Sequence, residues 1–180
     1  VGGTTSDLGV LVRGFPREST LPREIGGERP NFRMPDIQAA FGLVQLRRLH
    51  EFNRRRAEIA VQYTEGIGNI PGLQVLRHNP ECTPSFHVFA VLVKPEFPLS
   101  KEEFMWELYT KYSIKVWSHY MPIHLTTAYR RLGHAEGECP VAEQLFHEYV
   151  SLPIHPRMTD EAVDYVLASI HALARTGASA

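Results

Sequence analysis

Hydrophobic and polar positions keep no regular period over residues 1–30, a stretch rich in Gly, Pro, Thr and Arg, and then fall into step. From Met34-Pro35-Asp36 onward, apolar residues recur at Ile37, Phe41, Val44, Leu46, Leu49 and Phe52. This is close to the i, i+3, i+4 spacing that lines one face of a helix. Pro35 suits a first helical turn and Asp36 the positive end of the helix dipole. The spacing predicts a long helix to about Ile67, ended by Asn69-Ile70-Pro71-Gly72. Charges over Arg47–Arg56 predict a partly solvated second half and a bend near Phe52-Asn53. Residues 1–30 predict connecting chain, with at most one short element around Leu8–Val12. So long an irregular stretch is uncommon inside a compact domain and points to a connection with something upstream.

Beyond the helix, strand candidates alternate with helices. Leu73–Leu76 is a short strand candidate, and Ser85–Val93 is a β-branched and aromatic run that predicts a strong strand. Ser100 followed by Glu103 forms a capping box for a helix through about Lys111. Ser113–Tyr120 predicts a second strong strand, and Ala128–Leu132 a short helix closed by Gly133. Pro140–Val150 reads as an amphipathic helix and Ser151–Ile154 as a strand piece between prolines. Thr159-Asp160-Glu161 caps a last helix with Val163, Val166, Leu167 and Ile170 inward. Strands separated by helices predict an α/β layer, a small mixed or antiparallel sheet covered by helices. Phe104, Trp106, Tyr109, Tyr112 and Trp117 are assigned to core packing.

Composition adds little to this picture. Hydrophobic residues are 43% and charged residues 22% of 180, with a formal net charge of -1. No clustered basic excess points to nucleic acid, and no apolar run approaches the roughly 20 residues of a membrane span. Cys82 and Cys139 fit neither a disulfide framework nor a metal site, so a reducing cytoplasm is expected. The sequence opens at Val1-Gly2-Gly3 without Met and reads as cut from a longer polypeptide. Its only lysines are Lys94, Lys101, Lys111 and Lys115. That matters for imine chemistry, which needs a lysine amine able to lose its proton.

Two clusters carry candidate chemistry. Asn31-Phe32-Arg33-Met34 places an amide and a guanidinium beside a helix start, suited to an anion, or equally to a turn cap and a surface ion pair. His119-Tyr120-Met121-Pro122-Ile123-His124 ends a strand candidate, where sites commonly sit. His119 and His124 suit acid–base work or hydrogen bonds to a substrate, or a satisfied place in a loop. No third ligand lies at metal spacing. His87 reads as a core or interface histidine, His155 as ordering a turn, and Glu143 as a cap or ion-pair partner.

Taken in order, these segments resemble the DegT/DnrJ/EryC1/StrS family of sugar aminotransferases from about Gly26 to Leu173. The carriers are Asn31–Ala40, Gly42–Leu46, Arg54-Arg55-Arg56, Ser85–Phe89, His119-Tyr120 with Pro122 and His124, Ala128–Gly133, Cys139–Glu143 and Leu152–Pro156. Gly2-Gly3 is similar to the glycine pair after the family's cofactor lysine. The resemblance implies the C-terminal small domain of a fold-type-I enzyme dependent on pyridoxal 5'-phosphate (PLP), with a long linking helix. Residues 1–33 would then be the connection from a large cofactor-binding domain, and 34–180 the small domain. It further implies a homodimer moving an amino group, usually from glutamate, onto a nucleotide-linked keto sugar. Asn31 would reach the PLP phosphate, while Arg33, His119, Tyr120 and His124 would lie near the sugar nucleotide.

The chain departs from that pattern: the family's Schiff-base lysine, the aromatic that stacks on the pyridine ring and the carboxylate that pairs with its nitrogen cannot be placed in it. None of the four lysines stands in the context of the family's Schiff-base lysine, so the chain alone is expected to be inactive. Lys115 shares strand parity with His119 but is not expected to substitute. Two other readings stay open: a non-catalytic module binding a partner or sugar nucleotide, and a PLP-dependent sugar dehydratase with histidine replacing the lysine.

Overall fold

The computed structural model describes residues 33–176. The chain divides into two compact units, Val1–Ala40 and Phe41–Ala180. In the first, the described residues enter helix α1 (Asp36–Ile67), which continues into the second without a break at Phe52-Asn53. Arg54, Arg55 and Arg56 explain the continuity: Arg54 and Arg55 pair with Glu58 one turn on, and Arg56 leaves the helix to reach the Ser85 carbonyl at 2.7 Å. These pairs, one turn apart, support α1 along its charged run.

In the second unit, strands β1 (Leu73–Val75), β2 (Phe89–Val93) and β3 (Tyr149–Leu152) form an entirely antiparallel sheet in the order β1-β2-β3. Phe89, Val91 and Val93 share one face with Val150 and Leu152, since Val91 pairs with Val150 and Phe89 with Leu152. Onto that face pack Ile59, Tyr63 and Ile67 of α1, Phe104 and Leu108 of α2 (Lys101–Tyr112), and Val163, Val166 and Ile170 of α5 (Asp160–Thr176). Each such side chain removed from water contributes about 1.5–3 kcal/mol. Tyr63 is buried with its hydroxyl donating to the Pro153 carbonyl at 2.8 Å, and burial raises its pKa. Gly66 lets α5 approach α1: a Cβ there would lie 2.6 Å from Leu167 Cδ2. Gly72 has φ +78°, and a Cβ would lie 2.0 Å from the Phe97 nitrogen, so the turn into β1 demands glycine.

The opposite face carries Ala90, Leu92, Tyr149 and Ser151, and α4 (Pro140–Glu148) lies against β2 there. Between these come a 3-10 turn at Ile123–Leu125 and the short α3 (Thr127–Arg130).

Several expectations are corrected. Ser113–Tyr120 is not a strand but a loop with one bridge, Trp117 to Ser151. Ser113 closes α2 in the left-handed region (φ 55°), and Ile114 N–H reaches back to the Leu108 carbonyl at 2.9 Å, so its first residues belong to a helix cap. β2 starts at Phe89 rather than Ser85, because Phe86 has φ 45° and the Ser85 carbonyl is taken by Arg56. α4 ends at Glu148, and β3 begins two residues before its expected start. The apolar face predicted for α1 is correct as a helix but lies open: Phe41 is 69% and Leu46 62% exposed. Of the aromatic set only Phe104 is core, with Tyr112 packed beside it; Trp106, Tyr109 and Trp117 are exposed. On α2 the inward stripe is Phe104 and Leu108, which points Trp106 away. His87 is exposed rather than core.

Candidate functional site

The site is built from the outer side of β3. Trp117 and Ser151 exchange backbone hydrogen bonds, Ser151 N–H to the Trp117 carbonyl at 2.7 Å and Trp117 N–H back at 3.2 Å. Directly opposed residues of an antiparallel pair share a face, and so do residues two apart. Trp117, His119, Ser151 and Tyr149 are therefore set on one side, away from the core residues Val116, Val150 and Leu152. His119 Nδ1 lies 2.8 Å from Ser151 Oγ, which is itself hydrogen-bonded to the Tyr149 hydroxyl at 3.1 Å. Ser151 is buried and His119 half-buried, while Tyr120 is 78% exposed, its ring edge-on to His119 with centroids 4.7 Å apart. The His119-Tyr120 peptide is cis. Tyr149 also lines a cleft of about 360 Å³ with Arg77, His78, Phe86 and His87.

His124 is placed differently. It is buried in the 3-10 turn, with Nε2 2.7 Å from Glu143 Oε1. The Glu143 carboxylate also accepts Gly137 N–H at 3.0 Å and Cys139 N–H at 3.2 Å. Glu143 sits in the first turn of α4, where the helix dipole favours an anion. The His124 hydrogen bond, helped by those backbone donors, holds its carboxyl below the usual glutamate range. Glu143 thus caps the start of α4, one of the two readings expected of it, and its side-chain hydrogen-bond partner is His124. His155 orders a turn, accepting Arg157 N–H on Nδ1 at 3.2 Å.

The sequence-predicted residues thus fall into separate places. His119 and Tyr120 are brought together; His124 is turned inward onto Glu143. Arg33, exposed and just ahead of α1, belongs to the 1–40 unit. Asn31 lies outside the described residues. Ser151 and Tyr149 escaped the sequence reading because their link to His119 spans 32 positions; only strand pairing reveals it.

The lysines decide what this part can do with a cofactor aldehyde. Lys94 pairs with Glu148 at 2.5 Å, and Lys111 pairs with Glu107. Lys101 is buried, donating to Ser118 Oγ at 2.9 Å and to the Phe146 carbonyl at 2.5 Å, with its ammonium 4.5 Å from the Phe146 ring centre. Burial lowers its pKa, and one of its donors satisfies a carbonyl in the last turn of α4. Lys115 lies over the Trp117 ring at 4.7 Å. Each of the four lysines thus has a partner among the described residues. Among them, no helix is long and apolar enough to cross a membrane, and no His/Cys/Asp/Glu group fits a metal ion.

Comparison with known proteins gives this geometry a context. The model of the DegT/DnrJ/EryC1/StrS aminotransferase family matches residues 17–171. The erythromycin biosynthesis sensory transduction protein EryC1 of Saccharopolyspora erythraea is 32% identical over 163 residues, covering 90% of this chain and 42% of that protein. The dTDP-3-amino-3,4,6-trideoxy-alpha-D-glucose transaminase of Streptomyces venezuelae is 31% identical, covering 82% of this chain and 37% of that protein. Among solved structures, S. venezuelae DesV in complex with a ketimine intermediate superposes with TM-score 0.75 at 27% identity, covering 87% of this chain and 41% of that one. The aminotransferase TlmJ of Streptoalloteichus hindustanus gives TM-score 0.70 at 32% identity, covering 80% and 37%. The chain thus spans about two fifths of the length of these relatives.

Proposed function

The chain belongs to the DegT/DnrJ/EryC1/StrS aminotransferase family, and from that premise we propose that it is the substrate-facing C-terminal part of a PLP-dependent sugar aminotransferase. The whole enzyme would move an amino group, from glutamate, onto a keto sugar carried by a nucleotide. Two relatives named as dTDP-sugar aminotransferases support a nucleotide-linked substrate. PLP would carry the amino group, and its Schiff-base lysine would come from the cofactor-binding part of the whole protein. On this reading the enzyme works in the cytoplasm as a homodimer, without nucleic acid or membrane.

The observation that carries the reading is the pairing of a half-buried His119, anchored through Ser151, with an exposed Tyr120 in a family-matched segment. A histidine held at one nitrogen presents the other for a sugar hydroxyl or carbonyl, and a neighbouring phenol adds an apolar ring and a polar tip. We assign His119 and Tyr120 to the sugar and Arg33 to the nucleotide phosphates. Asn31 goes to the cofactor phosphate, and His124 to shaping the loop behind them. With its lysines engaged, the chain alone is inactive on this proposal.

The test supplies PLP, glutamate and a nucleotide-linked keto sugar, with borohydride trapping of any imine. The chain alone yields no aminated sugar and no covalently fixed cofactor. The chain joined to the cofactor-binding half of a relative yields the amino sugar by mass spectrometry. Covalent fixation on the chain alone, or a joined protein that binds PLP but aminates no sugar nucleotide, contradicts the proposal.

A further inference from the structure

We propose that Trp117 and Lys115 form a nucleotide platform beside His119, the indole stacking the nucleobase of the substrate and the ammonium meeting its diphosphate. The inference rests on the nucleotide-linked substrate of the proposed function and assigns residues to the nucleotide end of it. Burial alternates along the segment ahead of His119: Ile114 and Val116 enter the core, while Lys115 and Trp117 are exposed on the other side. One residue of β3 joins this run to His119. Ser151 pairs with Trp117 through two backbone hydrogen bonds, and its Oγ lies 2.8 Å from His119 Nδ1. Trp117 is therefore fixed through its backbone on the side that carries His119, yet it is 54% exposed.

What the ring takes follows from Lys115. Its ammonium lies 4.7 Å from the centre of the indole, close enough for the ring to attract it. Lys94, Lys101 and Lys111 direct their ammonium groups at protein oxygens. Lys115, among the described residues, makes no hydrogen bond or ion pair beyond that ring contact. Its N–H donors are thus available to a phosphate. A cation and a flat π surface at this spacing match the two parts of a nucleotide: the phosphates bring the charge, and any base can stack on an aromatic ring. A neutral hexose would use the ring but offer the ammonium no anion. Arg33 belongs to the 1–40 unit, so Lys115 supplies a cation within the unit that holds His119.

The chain has two tryptophans, and Trp106, 65% exposed on α2, is the internal control. The experiment titrates thymidine diphosphate, uridine diphosphate and glucose into the 180-residue chain as Trp106→Phe and as Trp117→Phe, following tryptophan fluorescence. Both nucleotides should quench Trp106→Phe saturably, since its signal is Trp117, and leave Trp117→Phe unquenched. By equilibrium dialysis, Trp117→Ala should bind thymidine diphosphate about 10-fold more weakly than wild type, and Trp117→Phe within about threefold of it. Lys115→Met should weaken thymidine diphosphate by roughly 10-fold and leave thymidine, which has no phosphate, unchanged. An unquenched Trp117 overturns the proposal, as does a Trp117→Ala chain that binds as tightly as wild type. Quenching of Trp117 by glucose also overturns it, because the ring would then belong to the sugar. No PLP, glutamate or keto sugar enters these titrations. A joined enzyme that aminates no sugar leaves the platform standing, and an unquenched Trp117 leaves the amino-transfer reading standing.

Discussion

His119 and His124 lie five residues apart in one sequence motif, yet the fold gives them opposite surroundings. His119 meets a neutral hydroxyl chain and keeps one nitrogen uncommitted by any partner on β3, next to an exposed tyrosine. His124 is buried against a carboxylate that two backbone N–H groups also hold. The difference teaches that a hydrogen bond to a buried carboxylate ties His124 into the framework. The carboxylate on the buried imidazole ties the 3-10 turn to α4, whereas the Ser151 hydroxyl holds the His119 ring at one nitrogen only. The same contrast divides α1. Its second half is core, through Ile59, Tyr63 and Ile67, while its first half shows an equally periodic apolar face that lies open.

The largest expected effect lies on the His119 side. In the chain joined to a relative's cofactor-binding half, His119→Ala should lower kcat/KM by about 100-fold or more, with melting temperature unchanged. His124→Ala should do the reverse. It strands the Glu143 carboxylate without its side-chain partner and should lower Tm by roughly 5 °C, with kcat/KM at low temperature within about threefold of wild type. Thermal melts and steady-state kinetics on both variants separate the roles; equal effects on both properties would erase the distinction.

A smaller effect appears with pH. The Glu143 carboxyl is depressed in the fold, chiefly by His124. A depressed acid contributes stability that is present above the ordinary glutamate pKa of about 4.3 and is lost as pH falls through that value to the folded one. Denaturant midpoints of the wild type should therefore fall below about pH 4.5 more steeply than those of Glu143→Gln. Glu148, depressed by Lys94, adds to the same slope with the same sign. The smallest effect is expected at Lys101. Lys101→Met keeps an apolar side chain of similar length but loses the donor to the Phe146 carbonyl and the ammonium over its ring, which should cost about 1 kcal/mol by chemical denaturation, without altering His119.

The helices were legible where caps and period agree. Ser100 with Glu103, Pro140 at a helix start, and the inward set Val163, Val166 and Ile170 all stand as read. The sequence failed where long-range contacts override local preference. Ser113–Ile114 is absorbed into a helix cap, leaving that run one bridge and no strand, and Ser85 gives its carbonyl to Arg56, so β2 is shorter than its run suggests. The face of α1 around Phe41 and Leu46 is readable as apolar, but no period says what covers it. At the site, His119 and Tyr120 were visible as residues, whereas Ser151 and Tyr149 needed the Trp117 bridge to bring them into reach. Only the local part of the site was written in one dimension.

The most direct test of the central claim is the kcat/KM for amino transfer to a nucleotide-linked keto sugar by the joined enzyme, measured for wild type and for His119→Gln at matched fold stability. The account predicts a loss of about 100-fold or more in the variant, with PLP binding unchanged. A variant that aminates the sugar as fast as wild type would remove His119 from the reaction and contradict the account.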